Sequence, residues 1–199
     1  MTQYQNLPRE CLSVLDFWFR ELTPGQWFCG EPELDQIIIE RFSPLHKQAC
    51  KGELDSWLSS ARGSLALIII LDQFSRHLYR NSSDAFAQDK TAQSIAVNGI
   101  RTGLDRTLNS AERHFFYMPL MHAEDLKLQN MAIKQFKVLK QEAEKTLSIA
   151  EKHLQDIVQF GRFPYRNEAL NRKSTGAERG YLTAKDRDRS LEQSLDDDG

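Results

Sequence analysis

The chain predicts an all-α fold of antiparallel helical pairs, and three observations carry that expectation. Apolar residues recur at helical spacing in almost every long segment. The interruptions fall at Pro, Gly and Asn/Ser clusters of the kind that start and stop helices. No alternation of strands with helices, no Gly-rich phosphate loop after a strand and no hairpin signal is present.

Taken in order, Pro8 opens a first helix whose Leu12, Leu15, Phe19 and Leu22 share a face, and Thr23-Pro24-Gly25 stops it. Pro32 suits the first turn of a second, with Leu34, Ile37, Ile38 and Phe42 as its apolar positions. A third starts near Glu53, is expected to break around Gly63-Ser64, and resumes through Leu65-Ala66-Leu67-Ile68-Ile69-Ile70-Leu71 to Tyr79. The isoleucine run continues into Gln73-Phe74-Ser75-Arg76 without a turn signal, which favours a buried helix over a buried strand. Asn81-Ser82-Ser83-Asp84 caps a helix from Ala85 to about Ile100, and Asn109-Ser110-Ala111-Glu112 has the spacing of a capping box. Pro119 should kink or divide the next helix near Tyr117, which then resumes to about Leu139. Another spans Glu142 to Val158, and a short last one, capped by Ser174 or Thr175, ends near Leu182. The expected organisation is one helical domain over 1–184 and a charged, mobile tail over 185–199.

Bulk composition excludes several function classes. Of 199 residues, 40% are hydrophobic and 27% charged, the balance of a soluble globular protein. Net charge is −2, but the tail from Lys185 holds three basic and six acidic residues, which leaves the body near +1. A body so close to neutral argues against nucleic-acid binding through a broad basic face. Cys11, Cys29 and Cys50 lack metal-ligand spacing and read as reduced thiols. The first six residues lack the pattern of a signal peptide, and the longest apolar run, Leu65–Leu71, is seven residues long, so no membrane association is expected. A cytoplasmic protein is the expectation.

Three stretches carry chemistry. In the first, Asp72, Arg76 and Arg80 lie four apart on one side of a helix, with Gln73 and His77 alongside. They read either as an ion pair finishing a buried helix or as an arginine lining a pocket for carboxylate or phosphate. In the second, Tyr117 to Asp125, Pro119 opens space beside His122. Glu124 or Asp125 could orient that histidine for proton transfer near neutral pH. His122/Asp125 and His153/Asp156 share a spacing of three, which makes a two-helix metal site conceivable, although neither pair matches a di-iron or zinc motif. The third, Phe160-Gly161-Arg162-Phe163-Pro164-Tyr165-Arg166-Asn167, packs two guanidiniums, an amide and three rings into eight residues. It reads as a loop stapled to helix ends, as donors for an anionic ligand, or as stacking surfaces for single-stranded RNA.

Leu71-Asp72-Gln73-Phe74-x-Arg76, Tyr117-Met118-Pro119-Leu120-x-His122-x-Glu124, His153 and Phe160-Gly161-Arg162-Phe163-Pro164-x-Arg166-Asn167 resemble a mainly bacterial domain-of-unknown-function family. The resemblance runs from about Leu12 to Leu182, with Trp18, Trp27-Phe28 and Gly52-Glu53-Leu54 fitting the same pattern. It implies a tetratricopeptide-like helical fold and brings no reaction or cofactor with it. The chain departs from the family pattern at Ser75, where Pro is common, at His77, where Asn is usual, and at Tyr165, where His is usual.

Together these features point to an enclosed pocket for a small anionic ligand. Arg76, Arg162 and Arg166 would bind the anion and Asp72, Gln73 and Asn167 complete the binding set, with His122, Glu124 and His153 as acid–base groups. The alternatives are a non-catalytic module that binds a peptide or protein partner and a metal-dependent hydrolase. The latter needs three of His122, Glu124, Asp125, His153 and Asp156 around one point.

Overall fold

A computed structural model describes residues 7–28 and 31–184, and no strand occurs among them. The protein is all-α, as its periodicity predicts. Cys29 and the tail from Lys185 lie outside the described residues. The chain divides into two compact units, Met1–Leu139 and Lys140–Gly199.

In the first unit α1 (Arg9–Asp16) continues into a π-helical turn, Phe17–Glu21. Its buried face is Cys11, Val14, Leu15, Phe17, Trp18 and Leu22, whereas Leu12 and Phe19 are only half-buried. The wider turn shifts the register, so Phe17 and Trp18 both turn inward. α2 (Pro32–Cys50) buries Leu34, Ile38, Phe42, His46 and Ala49 and leaves Ile37 outside. A 3-10 turn, Asp55–Ser59, leads to α3 (Ala61–Ile68), a π-helical stretch Ile69–Phe74, and α4 (Ser75–Leu78). This composite rod is the axis of the unit. Every residue from Gly63 to Ser75 is buried, and α1, α2, α5 (Asp89–Thr102) and α6 (Ser110–Met121) pack against it.

The expected break at Gly63-Ser64 falls earlier, at Ser60, whose hydroxyl accepts the Gly63 amide hydrogen as an N-cap. Gly63 itself lies within the helix for a different reason. A Cβ there would sit 2.1 Å from the Trp57 carbonyl oxygen, so only glycine lets the preceding turn approach. Asn109 and Glu112 form the predicted capping box at the start of α6. Pro119 does not divide α6, because it lies in the last turn and the helix ends by itself at His122. α7 (Leu126–Phe160) is continuous through the region where two helices were expected.

Two buried histidines tie α2 to the axis. Ser75 Oγ donates to the Leu71 carbonyl at 2.7 Å, so His46 donates its Nε2–H to that hydroxyl at 2.8 Å. Burial lowers the His46 pKa and so favours the neutral ring, with its hydrogen on Nε2. His77 donates Nδ1–H to Asp35 at 2.6 Å, and Arg80 also grips that carboxylate. Two positions that depart from the family pattern, Ser75 and His77, are thus both hydrogen-bonded to α2.

Lys140–Gly199 contains the end of α7, the aromatic–arginine segment and α8 (176–184). Gly161, at φ +66°, ends α7 in the left-handed conformation, and its amide bonds to the Ile157 carbonyl at 2.8 Å. Thr175 and Glu178 form a reciprocal capping box at the head of α8, confirming Thr175 as the cap.

Gly63→Ala should destabilise the fold by at least ~2 kcal/mol, because its new methyl meets backbone that cannot retreat. Gly180→Ala, with open space around the new methyl, should be neutral or stabilising by up to ~1 kcal/mol. Urea unfolding of the two variants tests the contrast.

Candidate functional site

The π-helical stretch Ile69–Phe74 contains the Leu71-Asp72-Gln73-Phe74 motif and turns Asp72 toward the α6–α7 junction. Asp72 is fully buried at 0% exposure. Its Oδ1 accepts Nδ1–H of His122 at 2.9 Å and lies 3.0 Å from Arg76 Nη1, while its Oδ2 accepts from Gln73. Arg76 also donates to the Asp72 carbonyl at 2.6 Å and pairs with both oxygens of Asp89, at 3.1 and 3.3 Å. The Arg76 guanidinium lies 5.5 Å from the centre of the Phe86 ring.

His122 caps the C-terminus of α6. Its Nδ1 is spent on Asp72, which leaves Nε2 as the nitrogen available to a ligand. The junction that presents it is stapled by Gln129, whose amide donates to the Met121 and Ala123 carbonyls at 2.8 Å each. Asp125 Oδ1 fixes the same turn by accepting the Leu128 amide hydrogen at 2.9 Å.

Arg76, Phe86, Asp89, His122 and Asp125 line a cleft of about 1200 Å³. One wall is a single face of α5: Lys90, Gln93, Ser94, Val97, Asn98 and Arg101. The opposite wall carries His122, Glu124, Asp125 and Leu128, with Arg76, Asp89 and Phe86 at the Lys90 end. The cleft is open rather than enclosed, since Phe86, Lys90, Ser94, Asn98, Arg101 and Glu124 are all exposed.

Asp72, Gln73, Arg76, His122 and Glu124 all lie at or beside this cleft in the first unit. Two roles change. Buried Asp72 is hydrogen-bonded to His122 and does not line the cleft, and Gln73 spends its amide on Asp72. Arg76 is shared between two carboxylates, Asp72 and Asp89. Lys90, Arg101, Asp89 and Gln129 carried no motif signal and were not foreseen. Helical spacing from Arg101 back to Lys90 was the available clue.

The second unit uses its arginines on itself. Arg162 pairs with buried Glu178 through Nε at 2.7 Å and Nη2 at 2.9 Å, and Nη2 also donates to the Lys173 carbonyl at 3.1 Å. Asn167 is buried and donates to Ser174 Oγ at 3.1 Å. Arg166 stacks over Phe163, its guanidinium 4.6 Å from the ring centre. His153 meets the same Phe163 ring edge-on at 5.5 Å. Asp156 is buried and accepts from Tyr181. Arg162 and Asn167, expected to bind ligand, instead hold α8 to the end of α7, because burying the Glu178 carboxylate requires that many donors. Among the described residues no three His, Cys, Asp or Glu side chains come together to hold a metal ion, so the ligand set of a metal-dependent hydrolase is not assembled.

A family described as bacterial protein of unknown function (DUF924) matches residues 14–186. The solved structure of ATU0120, a protein of unknown function from Agrobacterium tumefaciens, is similar at 37% sequence identity and a TM-score of 0.62. The match covers 87% of this chain and 96% of that one. No curated protein matches the chain. No helix is long and apolar enough to cross a membrane among the described residues.

The Arg162 guanidinium holds the Glu178 carboxyl well below its ordinary 4.5, at about 2. A carboxyl pKa lowered by folding contributes stability that is present above its unfolded value and lost as pH falls through the folded one. Thermal stability should therefore fall between about pH 4.5 and 2, and Glu178→Gln should flatten that limb while lowering stability at pH 7. Melting curves followed by circular dichroism at each pH check this.

Proposed function

The chain belongs to the DUF924 family of bacterial proteins of unknown function, and we propose that its cleft carries out acid–base chemistry on a small molecule bearing a carboxylate or phosphate. The observation that carries this reading is the fully buried Asp72 carboxylate held 2.9 Å from His122 Nδ1. A carboxylate so placed sets the tautomer, with hydrogen on Nδ1, and offers Nε2 as the proton acceptor. It also stabilises the imidazolium that forms when Nε2 takes a proton. Arg76 and Gln73 fix Asp72 rather than the ligand.

Cations for the ligand's anionic group come from the α5 wall. Lys90 has no carboxylate partner among the described residues, and Arg101 donates only to the Asn98 side chain. Glu124 is exposed at the mouth, where it can exchange protons with solvent. The π-helical turn supports the reading, because such turns recur at functional sites, where they re-aim one side chain out of an otherwise regular helix.

A partner-binding surface is the second reading, favoured by one observation in Lys140–Gly199. Leu147, Leu154 and Val158 are exposed at 58%, 59% and 72% and share one face of α7. Leu154→Glu would weaken association, measured by sedimentation equilibrium, without touching the cleft.

Turnover should be sought with a panel of carboxylate- and phosphate-bearing esters, amides and isomerisable acids. For any substrate turned over, His122→Gln should lower kcat by ~10²–10⁴-fold, the range of a positioned general base. Asp72→Asn should lower it comparably, because an amide there permits the wrong tautomer. Turnover that survives His122→Gln unchanged, or no turnover across the panel, would sink the acid–base reading.

A further inference from the structure

The two walls of the cleft carry opposite charges that do not neutralise one another. On α5, Lys90 and Arg101 face the cleft without carboxylate partners among the described residues. On the α6–α7 junction, Glu124 faces it without a basic partner among the described residues, and Asp125 uses one oxygen to cap α7. Arg76 is shared between Asp72 and Asp89, which leaves that cluster one negative charge in excess, and Lys90 and Arg101 still leave the α5 side net positive. A site for a simple anion would not carry an unpaired carboxylate in the same lining as its lysine, since the carboxylate would repel the ligand.

We infer that the cleft takes a zwitterionic small molecule, with its carboxylate or phosphate at Lys90 and its ammonium at Glu124, beside His122 Nε2. The inference rests on the acid–base reading of the same cleft and narrows its substrate class to amino-carboxylates and amino-phosphates. Lys90 is the anion's contact for a short ligand because its neighbour Asp89 holds Arg76, and Arg76 in turn holds the Asp72 that orients His122. Arg101 lies eleven residues further along α5, about 16 Å at 1.5 Å per residue, and serves a longer ligand. Phe86, exposed at 60%, and Val97 offer apolar contact to the carbon chain joining the two charges. Removing a proton from the ammonium would make it a nucleophilic amine, and His122 Nε2 is the group placed to accept that proton.

Calorimetric titration of the full chain with ε-aminocaproate, caproate and hexylamine separates the possibilities. These three share a carbon chain and differ only in which ends are charged. The expected result is a Kd at least tenfold lower for ε-aminocaproate than for either singly charged analogue. Charge reversal then makes the test one of gain as well as loss. Lys90→Glu should lose ε-aminocaproate and gain hexamethylenediamine, and Glu124→Lys should lose it and gain adipate. His122→Gln should retain ε-aminocaproate binding, so a failure of the acid–base reading remains distinguishable from a failure of this one. Caproate binding as tightly as ε-aminocaproate would overturn the inference in favour of an anion site, and hexylamine doing so would favour a cation site. No binding by any of the three, or binding that neither charge reversal alters, would also overturn it.

Discussion

A carboxylate with no access to water, Asp72, sits in a buried rod just past its apolar run Leu65–Leu71. An ionised group in that position must be surrounded by donors, or the fold loses several kcal/mol. That requirement determines much of what surrounds it. Arg76 must fold back along the rod, Asp89 must bring the start of α5 to Arg76, and His122 must end α6 within reach of Oδ1. Gln129 and Asp125 then hold the turn that keeps His122 there. The cleft is the space left between elements gathered around one buried charge.

The π-helical stretch makes this arrangement compatible with a helix. Widening the turn over Ile69–Phe74 displaces the regular ladder, and the Leu71 and Asp72 carbonyls take side-chain donors from Ser75 and Arg76. Those donors are the next residues along the chain, so the irregularity is satisfied locally while Asp72 is re-aimed. His46 and Asp35 on α2 then lock the far end of the rod through Ser75 and His77. The result is a rigid support behind a single exposed imidazole edge, which is what a proton-transfer site needs.

The arginines of the two units illustrate how one residue type serves different ends. Arg76 and Arg162 both pair with a buried carboxylate, Asp72 and Glu178 respectively, and Arg76 also holds the half-buried Asp89. Arg76 ends beside an open cleft with a histidine, and so contributes to a site. Arg162 ends in the Thr175–Glu178 capping box, and so contributes to a helix junction. Sequence motifs of arginine among aromatics look alike in both cases, because the demand for donors around a buried carboxylate is the same.

Periodicity and punctuation by themselves determined the all-α class, the capping box at Asn109–Glu112 and the burial of the Leu65–Leu71 run, and narrowed the last cap to Ser174 or Thr175, because each depends on interactions within a few residues. The association of Asp72, Arg76, His122 and Glu124 was legible from their motifs. Only the tertiary structure decided what each of them does. Whether Asp72 meets a ligand or orients His122 depends on two residues 50 positions apart closing at 2.9 Å, and no local rule fixes such a closure. Whether Gly63 breaks a helix or admits a carbonyl depends on where Trp57 lies. Lys90 and Arg101 look like ordinary surface cations until a facing wall makes them part of a cleft. Local chemistry set the elements, and the pairing of buried charges across distant segments set the site.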